Sequence, residues 1–222
     1  MPVLVPFLKS VVLIPLTLLP IINPLSGMPI FTAQAGHNPV VVKKMARQIA
    51  TNCWFILVAS ILVGHFVLDF FGISLPIVRI AGGILVAVSG WRMLNNSDID
   101  ATLQAVAKET SDLPDVEIAR RSFFPITFPL TTGPGTIATA IALGAHGPKT
   151  PLRYLLGVAD AVLGAAITAL VIYLCYRHAP AMLAKLGEIG SMVMMRLFAF
   201  ILLCIGIEII WTGWASLNQI AF

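Results

Sequence analysis

Charged residues are scarce in this chain: Asp, Glu, Lys and Arg make up only 11% of its 222 residues, while 58% are hydrophobic. Soluble domains usually carry about 25% charged residues, so most of this chain is expected to face lipid or other membrane helices. The net charge of +4 is spread over the ends of apolar segments. This distribution argues against a nucleic-acid-binding patch and indicates a membrane topology instead.

Cysteine is also rare, and its placement excludes several kinds of site. Cys53, Cys175 and Cys204 each stand alone inside an apolar run. An odd set without CxxC spacing argues against a disulfide framework and against zinc or redox chemistry. The chain also has no HExxH motif and no GxSxG motif, so proteolysis and metal-dependent hydrolysis lack their usual residues. We therefore expect no metal, no cofactor and no enzymatic activity.

Apolar stretches dominate what is present. A bilayer-spanning helix needs about 20 apolar residues, and six stretches reach that length: residues 11–33, 49–71, 75–94, 123–143, 152–176 and 192–214. The intervening segment 95–121 is polar and holds six of the ten acidic residues. The pattern predicts an all-α integral membrane protein with six transmembrane helices in a single membrane domain, residues 1–222. Its oligomeric state is left open by the sequence.

A proline-rich motif occurs twice, each time inside a predicted span. Residues 20–29 read PIINPLSGMP and residues 125–134 read PITFPLTTGP. Proline removes a backbone donor and clashes with the preceding turn, so both spans must be interrupted. Interrupted backbone is tolerated in a membrane only where it is buried in protein or lines a cavity. Paired interruptions in two halves of a chain are typical of a transporter binding site.

The repeated motif divides the chain into two three-helix halves, residues 1–94 and 122–222, joined by the connector 95–121. Three spans is an odd number, so the second half enters the membrane from the opposite face and the halves form inverted repeats. Spans one and four are then broken near the midplane. Arg79 and Arg196 stand near the starts of the third span of each half, and we interpret them as structural anchors.

The basic residues predict the orientation. Loops on the cytoplasmic side are enriched in Lys and Arg. One side of the predicted topology receives four basic residues: Lys9, Arg79, Lys149 and Arg153. The other side receives ten: Lys43, Lys44, Arg47, Arg92, Lys108, Arg120, Arg121, Arg177, Lys185 and Arg196. The second side is therefore predicted to be cytoplasmic, which places both termini in the periplasm and the acidic connector inside the cell.

Four motifs together resemble those of the MarC family of bacterial integral membrane proteins. They are the Asn23-Pro24-Leu25 tripeptide and the segments FGISLP at 71–76, RIAGG at 79–83 and GPGTIA at 133–138. The resemblance covers essentially the whole chain. It implies an inner-membrane protein related in fold to the LysE-type exporters, with a role in moving small neutral amino acids.

The two interruptions supply the candidate substrate-binding residues. A helix that restarts inside the membrane presents free N–H groups and a partial positive charge, which suit a carboxylate. Hydroxyl and amide side chains can cap these ends or bind a ligand, and glycine lets a ligand approach the backbone closely. The candidates are Asn23, Pro24, Ser26, Gly27, Pro129, Thr131, Thr132, Gly133 and Gly135.

Asp160 is the candidate for ion coupling. It lies about eight residues into the fifth predicted span, where a carboxylate costs about 3 kcal/mol unless it is paired or hydrated. Such residues often mark proton or ion pathways, and a purely structural partner role is the alternative. The expected function is a secondary transporter that exports small neutral amino acids or similar metabolites by alternating access, coupled to H⁺ or Na⁺. The alternative is a non-transporting membrane partner or sensor that acts through its acidic connector.

Overall fold

The computed structural model describes residues 4–36, 38–95, 114–144 and 151–218, and these ranges are helical apart from short connections. Most of the predicted connector, residues 96–113, lies outside them. The helices are α1 (Leu4–Ile22), α2 (Pro24–Ala35), α3 (Pro39–Phe71), α4 (Leu75–Asn95), α5 (Asp115–Arg121), α6 (Pro134–Gly144) and α7 (Pro151–Leu217). An irregular segment, Ser122–Thr131, connects α5 to α6.

The number of apolar helices agrees with the membrane prediction. Among the residues that the structure describes, four helices are long and apolar enough to cross a bilayer: α3, α4 and the two arms of α7, Leu155–Gly187 and Ile189–Leu217. Two bent pairs bring the number to six if each pair is one span. The first arm of α7 extends eleven residues beyond its predicted end at 176. The all-helical prediction is confirmed, with four to six candidate spans.

The first bend separates α1 from α2 by 58° at Asn23. Asn23 adopts a left-handed conformation, with φ of 44° and ψ of 62°, which asparagine tolerates better than most residues. Pro24 then occupies the first position of α2, where a missing amide hydrogen costs nothing because that group has no helical partner. The prediction of an interruption in this span is confirmed.

The second bend separates the run Asp115–Thr131 from α6 by 67°. Phe124 and Phe128, which precede Pro125 and Pro129, have extended backbones with ψ of 124° and 127°. The ring of a following proline disfavours helical dihedrals, so these positions are forced out of the helix. The fourth predicted span is therefore interrupted, as expected, at Phe124 and Phe128 and again between Thr131 and Pro134.

Small residues let two helices approach closely, namely α4 and the second arm of α7. A Cβ at Gly83 would lie 2.8 Å from the Gly206 carbonyl oxygen, and one at Gly90 would lie 2.8 Å from that of Ala199. Gly213 meets the Pro76 carbonyl at the other end of the contact. Close backbone approach through small residues is the usual basis of helix association in lipid. The two helices are antiparallel and pack as one unit.

The core lies where α1, α2, α3, the irregular segment and the first arm of α7 meet. Its largest fully buried side chains include Leu18, Met28, Phe31, Met45, Ile49, Leu57, Ile126, Ile172 and Tyr176. The outer surface is also apolar, with Phe70 83% exposed and Leu155 69% exposed. An apolar exterior around a packed interior suits a lipid environment.

Candidate functional site

The first interruption satisfies much of its own hydrogen bonding. The Ser26 hydroxyl donates to the Asn23 carbonyl oxygen at 2.8 Å, and the Ser26 amide approaches the Asn23 side-chain oxygen at 3.4 Å. Both residues are buried, as are Pro24 and Gly27. Because Pro24 and Pro29 lack amide hydrogens, they cannot donate to the carbonyls of Pro20 and Leu25. The bend therefore leaves the carbonyls of Pro20 and Leu25 without the amide donors that a continuous α-helix would supply.

Threonine hydroxyls take over part of the bonding at the second interruption. The Thr131 hydroxyl donates to the Ile126 carbonyl at 2.7 Å. The Thr132 hydroxyl and amide both donate to the Thr127 carbonyl at 2.8 Å. These bonds span five residues, so they hold a wider turn than the four-residue spacing of an α-helix. Thr131 and Thr132, predicted as ligands for a solute, bind the backbone of their own segment.

Tyr176 joins the two interruptions. Its ring stacks on Phe31 of α2, with centroids 4.8 Å apart and planes 10° from parallel. Its hydroxyl lies 2.9 Å from that of Thr131, and a Cβ at Gly27 would lie 2.6 Å from the same oxygen. The side chain is only 1% exposed. The structure thus brings Gly27 and Thr131, one from each interruption, to the hydroxyl group of one buried tyrosine.

The other predicted residues of the second interruption face different neighbours. Thr132 lies beside the Cys53 thiol of α3. Gly135 packs against Val86 of α4, whereas Pro129 is exposed and Gly133 half-buried. The predicted set is therefore divided among several helix contacts, and only part of it meets at Tyr176.

Tyr176 and Phe31 were missed by the sequence analysis. Phe31 stood in the apolar part of the first predicted span, and Tyr176 was the last residue of the fifth. One signal was present: a tyrosine hydroxyl in an apolar run usually finds a buried partner. Nothing in the sequence said which partner, because the contact joins positions 45 residues apart.

Asp160 lies away from the interruptions. It is on the first arm of α7, sixteen residues before Tyr176, which corresponds to about 24 Å along a helix. Its carboxylate accepts a hydrogen bond from Ser10 of α1. Its Oδ1 atom is buried and has no hydrogen-bond partner among the described residues. If Asp160 couples transport to an ion, it does so from a position remote from the two interruptions.

Arg79 and Arg196 lie at opposite ends of the pair formed by α4 and the second arm. Arg79 is half-buried, and its Cβ faces Gly213. Arg196 is exposed near the start of the second arm. Elsewhere, no cluster of three His, Cys, Asp or Glu side chains suited to a metal occurs in the described ranges.

The contact between Gly27 and Tyr176 gives a direct test. We expect Gly27→Ala to destabilise the protein by about 1–3 kcal/mol, because the new methyl group meets the Tyr176 hydroxyl. Tyr176→Phe removes that hydroxyl, so the double variant should lose about 1 kcal/mol less than the sum of the single losses. Equilibrium unfolding in mixed detergent micelles measures the free energy of unfolding of the two single variants and of the double variant.

Gly190→Ala is the matched control for this cycle. A Cβ at Gly190 would make an ordinary 3.4 Å contact with Leu186, so this substitution should be nearly neutral and additive with Tyr176→Phe. If the losses from Gly27→Ala and Tyr176→Phe were additive as well, Gly27 and Tyr176 would not be in contact.

Comparison with known proteins agrees with this architecture. The family profile described as MarC family integral membrane protein matches residues 8–217. The inner membrane protein MarC of Salmonella typhimurium (strain LT2) is 32% identical over 200 residues, which cover 88% of this chain and 90% of that protein. Its counterpart in Escherichia coli (strain SMS-3-5) is 33% identical over 206 residues, with the same coverage. No solved structure matches the chain. The chain therefore belongs to the MarC family and is a multi-pass inner membrane protein.

Proposed function

We propose that this protein is a secondary transporter that exports small neutral amino acids or similar metabolites by alternating access around its two interrupted spans. One observation carries the proposal: both interruptions pack on the same buried side chain, Tyr176, in the protein interior. Interrupted helices that meet inside a membrane protein are a recurring way to build a solute site. Tyr176 occupies the space between them, so this arrangement corresponds to a closed state.

The chemistry of the buried residues favours a solute without net charge. The buried polar side chains of the described residues are Asn23, Ser26, Gln34, Ser122, Thr127, Thr131, Thr132, Thr136 and Thr168, and all are uncharged. The restarting helices α2 and α6 offer positive ends for a carboxylate. The Thr32 hydroxyl of α2 is buried and lacks a partner among the described residues. A bound solute that accepted or donated a hydrogen bond there would offset about 1–3 kcal/mol of desolvation cost.

An inverted repeat is part of the proposal, and the helix contacts support it. The interrupted span of each half packs on the second span of the other half. Ile14 of α1 faces Gly164 of α7, and Ile141 of α6 faces Gly64 of α3. The third spans, α4 and the second arm, pack on each other. Exchanging the two halves leaves this scheme of contacts unchanged.

The register of the third spans supports the same exchange. If Arg79 is aligned with Arg196, Gly83 corresponds to Phe200 and Gly206 corresponds to Ser89. The contact between Gly83 and Gly206 should then recur between positions 89 and 200. The structure has a contact between Gly90 and Ala199, one residue away on each helix. Such agreement is expected for a two-fold axis between antiparallel helices.

The orientation remains as the basic residues predict it, with both termini periplasmic and the interruptions near the midplane. One contact supports the assignment of the start of α3 and the end of the connector to the same side of the membrane. Lys44 of α3 forms an ion pair with Asp115 of α5, and Arg121 donates to Glu117 at 2.8 Å. The start of α3 and the end of the connector therefore lie at the same end of the molecule.

Flux measured in proteoliposomes tests the proposal. We expect the purified protein to catalyse saturable counterflow of at least one small neutral amino acid. Asn23→Gly keeps the left-handed backbone but removes the amide, and Thr132→Val removes a hydroxyl. The double variant should lower flux about tenfold, since each lost hydrogen bond contributes about 0.5–1.5 kcal/mol.

Thr168→Val is the control for this flux experiment. Thr168 is buried and donates to the Gly164 carbonyl of its own helix at 2.8 Å, away from the interruptions, so flux should persist. Unchanged flux in the double variant would remove the interruptions from the mechanism. Absence of flux across a broad panel of neutral solutes would favour the sensor alternative.

Asp160 is proposed to couple transport to H⁺ or Na⁺. Its buried, unpartnered Oδ1 atom motivates the proposal, because an intramembrane carboxylate is costly unless protonated or bound to a cation. We expect Asp160→Asn to abolish flux driven by an ion gradient but to retain solute counterflow. Glu208→Gln, at an exposed position of the second arm, should leave both intact. Gradient-driven flux in Asp160→Asn equal to that of the wild type would contradict the assignment.

A further inference from the structure

A cavity of about 590 Å³ opens on the outer surface between α3 and the first arm of α7. It is lined by Lys43, Arg47, Ala50, Thr51, Trp54, Ala166, Ala169, Leu170 and Tyr173. The residues from Lys43 to Trp54 follow one face of α3 over eleven residues, or about 16 Å. The Trp54 indole donates to the Val162 carbonyl at 3.2 Å and closes the far end. The cavity is therefore an elongated groove.

The groove is basic at one end and apolar along its length. Lys43 and Arg47 lie at the end near Tyr173. Arg177 adds a third cation there, since it donates to the Tyr173 hydroxyl at 3.0 Å and its guanidinium lies 5.7 Å from the ring centre. Lys44 next to the groove is paired with Asp115, but in the described part of the chain Lys43 and Arg47 form no ion pair. None of the described residues that line the groove is acidic.

We propose that this groove binds an anionic phospholipid of the cytoplasmic leaflet. The headgroup phosphate lies between Lys43 and Arg47, and one acyl chain runs along the alanine-lined wall towards Trp54. Charge complementarity selects the occupant, because basic pockets between transmembrane helices on the cytoplasmic side bind anionic headgroups. The length and apolar lining require an attached chain rather than a free phosphate. The site is separate from Tyr176, which faces the core from the same helix.

The charge requirement can be measured by lipid retention. We expect native mass spectrometry of the detergent-purified protein to show phosphatidylglycerol retained over phosphatidylcholine with the same acyl chains. Lys43→Gln with Arg47→Gln should weaken phosphatidylglycerol binding by about fivefold per removed charge and abolish the preference. Arg92→Gln with Arg120→Gln removes two exposed charges from the same predicted side, outside the groove, and should change little. Equal retention of both lipids by the wild type would overturn the proposal, as would equal loss in both double variants.

The acyl-chain requirement has a second test that leaves every charge in place. Ala166 lines the groove and is exposed, so Ala166→Phe should fill it and reduce retention of both lipids. Ala81→Phe, at an exposed position on α4, should not. Soluble glycerol phosphate should fail to displace phosphatidylglycerol, because it lacks the chain. Normal retention in Ala166→Phe, or full displacement by glycerol phosphate, would contradict a lipid in this groove.

Discussion

Replacing Tyr176 by alanine is expected to destabilise the protein by about 3–5 kcal/mol, in the range measured when large buried aromatic side chains are truncated. The ring is 1% exposed and stacks on Phe31, so truncation leaves a cavity between both interruptions. Tyr176→Phe keeps the ring and removes only the hydroxyl group with its hydrogen bond to Thr131, which should cost about 1 kcal/mol. Equilibrium unfolding in mixed detergent micelles checks both values.

Tyr173→Ala is the control on the same helix. Tyr173 is half-buried and lines the outer groove, so its truncation should cost about 1 kcal/mol. If Tyr176→Ala lowered the free energy of unfolding no more than Tyr173→Ala, the buried contacts of Tyr176 would not be a main source of stability.

The second large effect is expected at the contact between α4 and the second arm of α7. In Gly90→Val the new side chain would meet backbone atoms, with Leu203 N at 2.6 Å and Ala199 O at 2.8 Å from the Cβ position. Backbone cannot rotate away as a side chain can, so the two helices must separate. We expect a loss of about 3 kcal/mol or more, at the upper end of overpacking costs, measured by the same unfolding assay.

Ser89→Val provides the matched comparison for this substitution. Ser89 is the neighbouring residue on α4 and is exposed, so a valine there should change stability by no more than about 0.5 kcal/mol. Similar losses in both variants would mean that β-branching in α4, rather than contact with the second arm, is responsible.

The features predicted correctly from the sequence are those with local causes. Hydropathy located the four long apolar helices and the two bent pairs of the described residues, because a span is recognised from its own residues. The prolines at 24, 125 and 129 located both interruptions, since proline acts on its own turn and on the residue before it. The end of the fifth span was predicted wrongly, at residue 176, because the apolar run ends there while the helix continues to Gly187.

The arrangement of the site could not be predicted, because it depends on contacts between distant residues. Tyr176 reaches Gly27 and Thr131 only after three segments have packed together. The threonines were interpreted as caps or as ligands for a solute, and their hydroxyls bind carbonyls five residues back. These hydrogen bonds require the wide turn of the segment Ser122–Thr131. The prolines interrupt the α-helix there but do not determine which hydrogen bonds replace it. The distance of Asp160 from Tyr176 follows from the uninterrupted helix between them.

Gly187 forms a break between the two arms of α7 and so determines how the second arm can move. It joins the two arms of α7 with φ of 67° and ψ of 178°, dihedrals that are essentially confined to glycine, and a Cβ there would meet nothing within 4 Å. The second arm packs closely on α4 through its glycines, so a rotation of the second arm about Gly187 must move both helices together as a rigid body. The pair formed by α4 and the second arm would then rotate relative to the remaining helices.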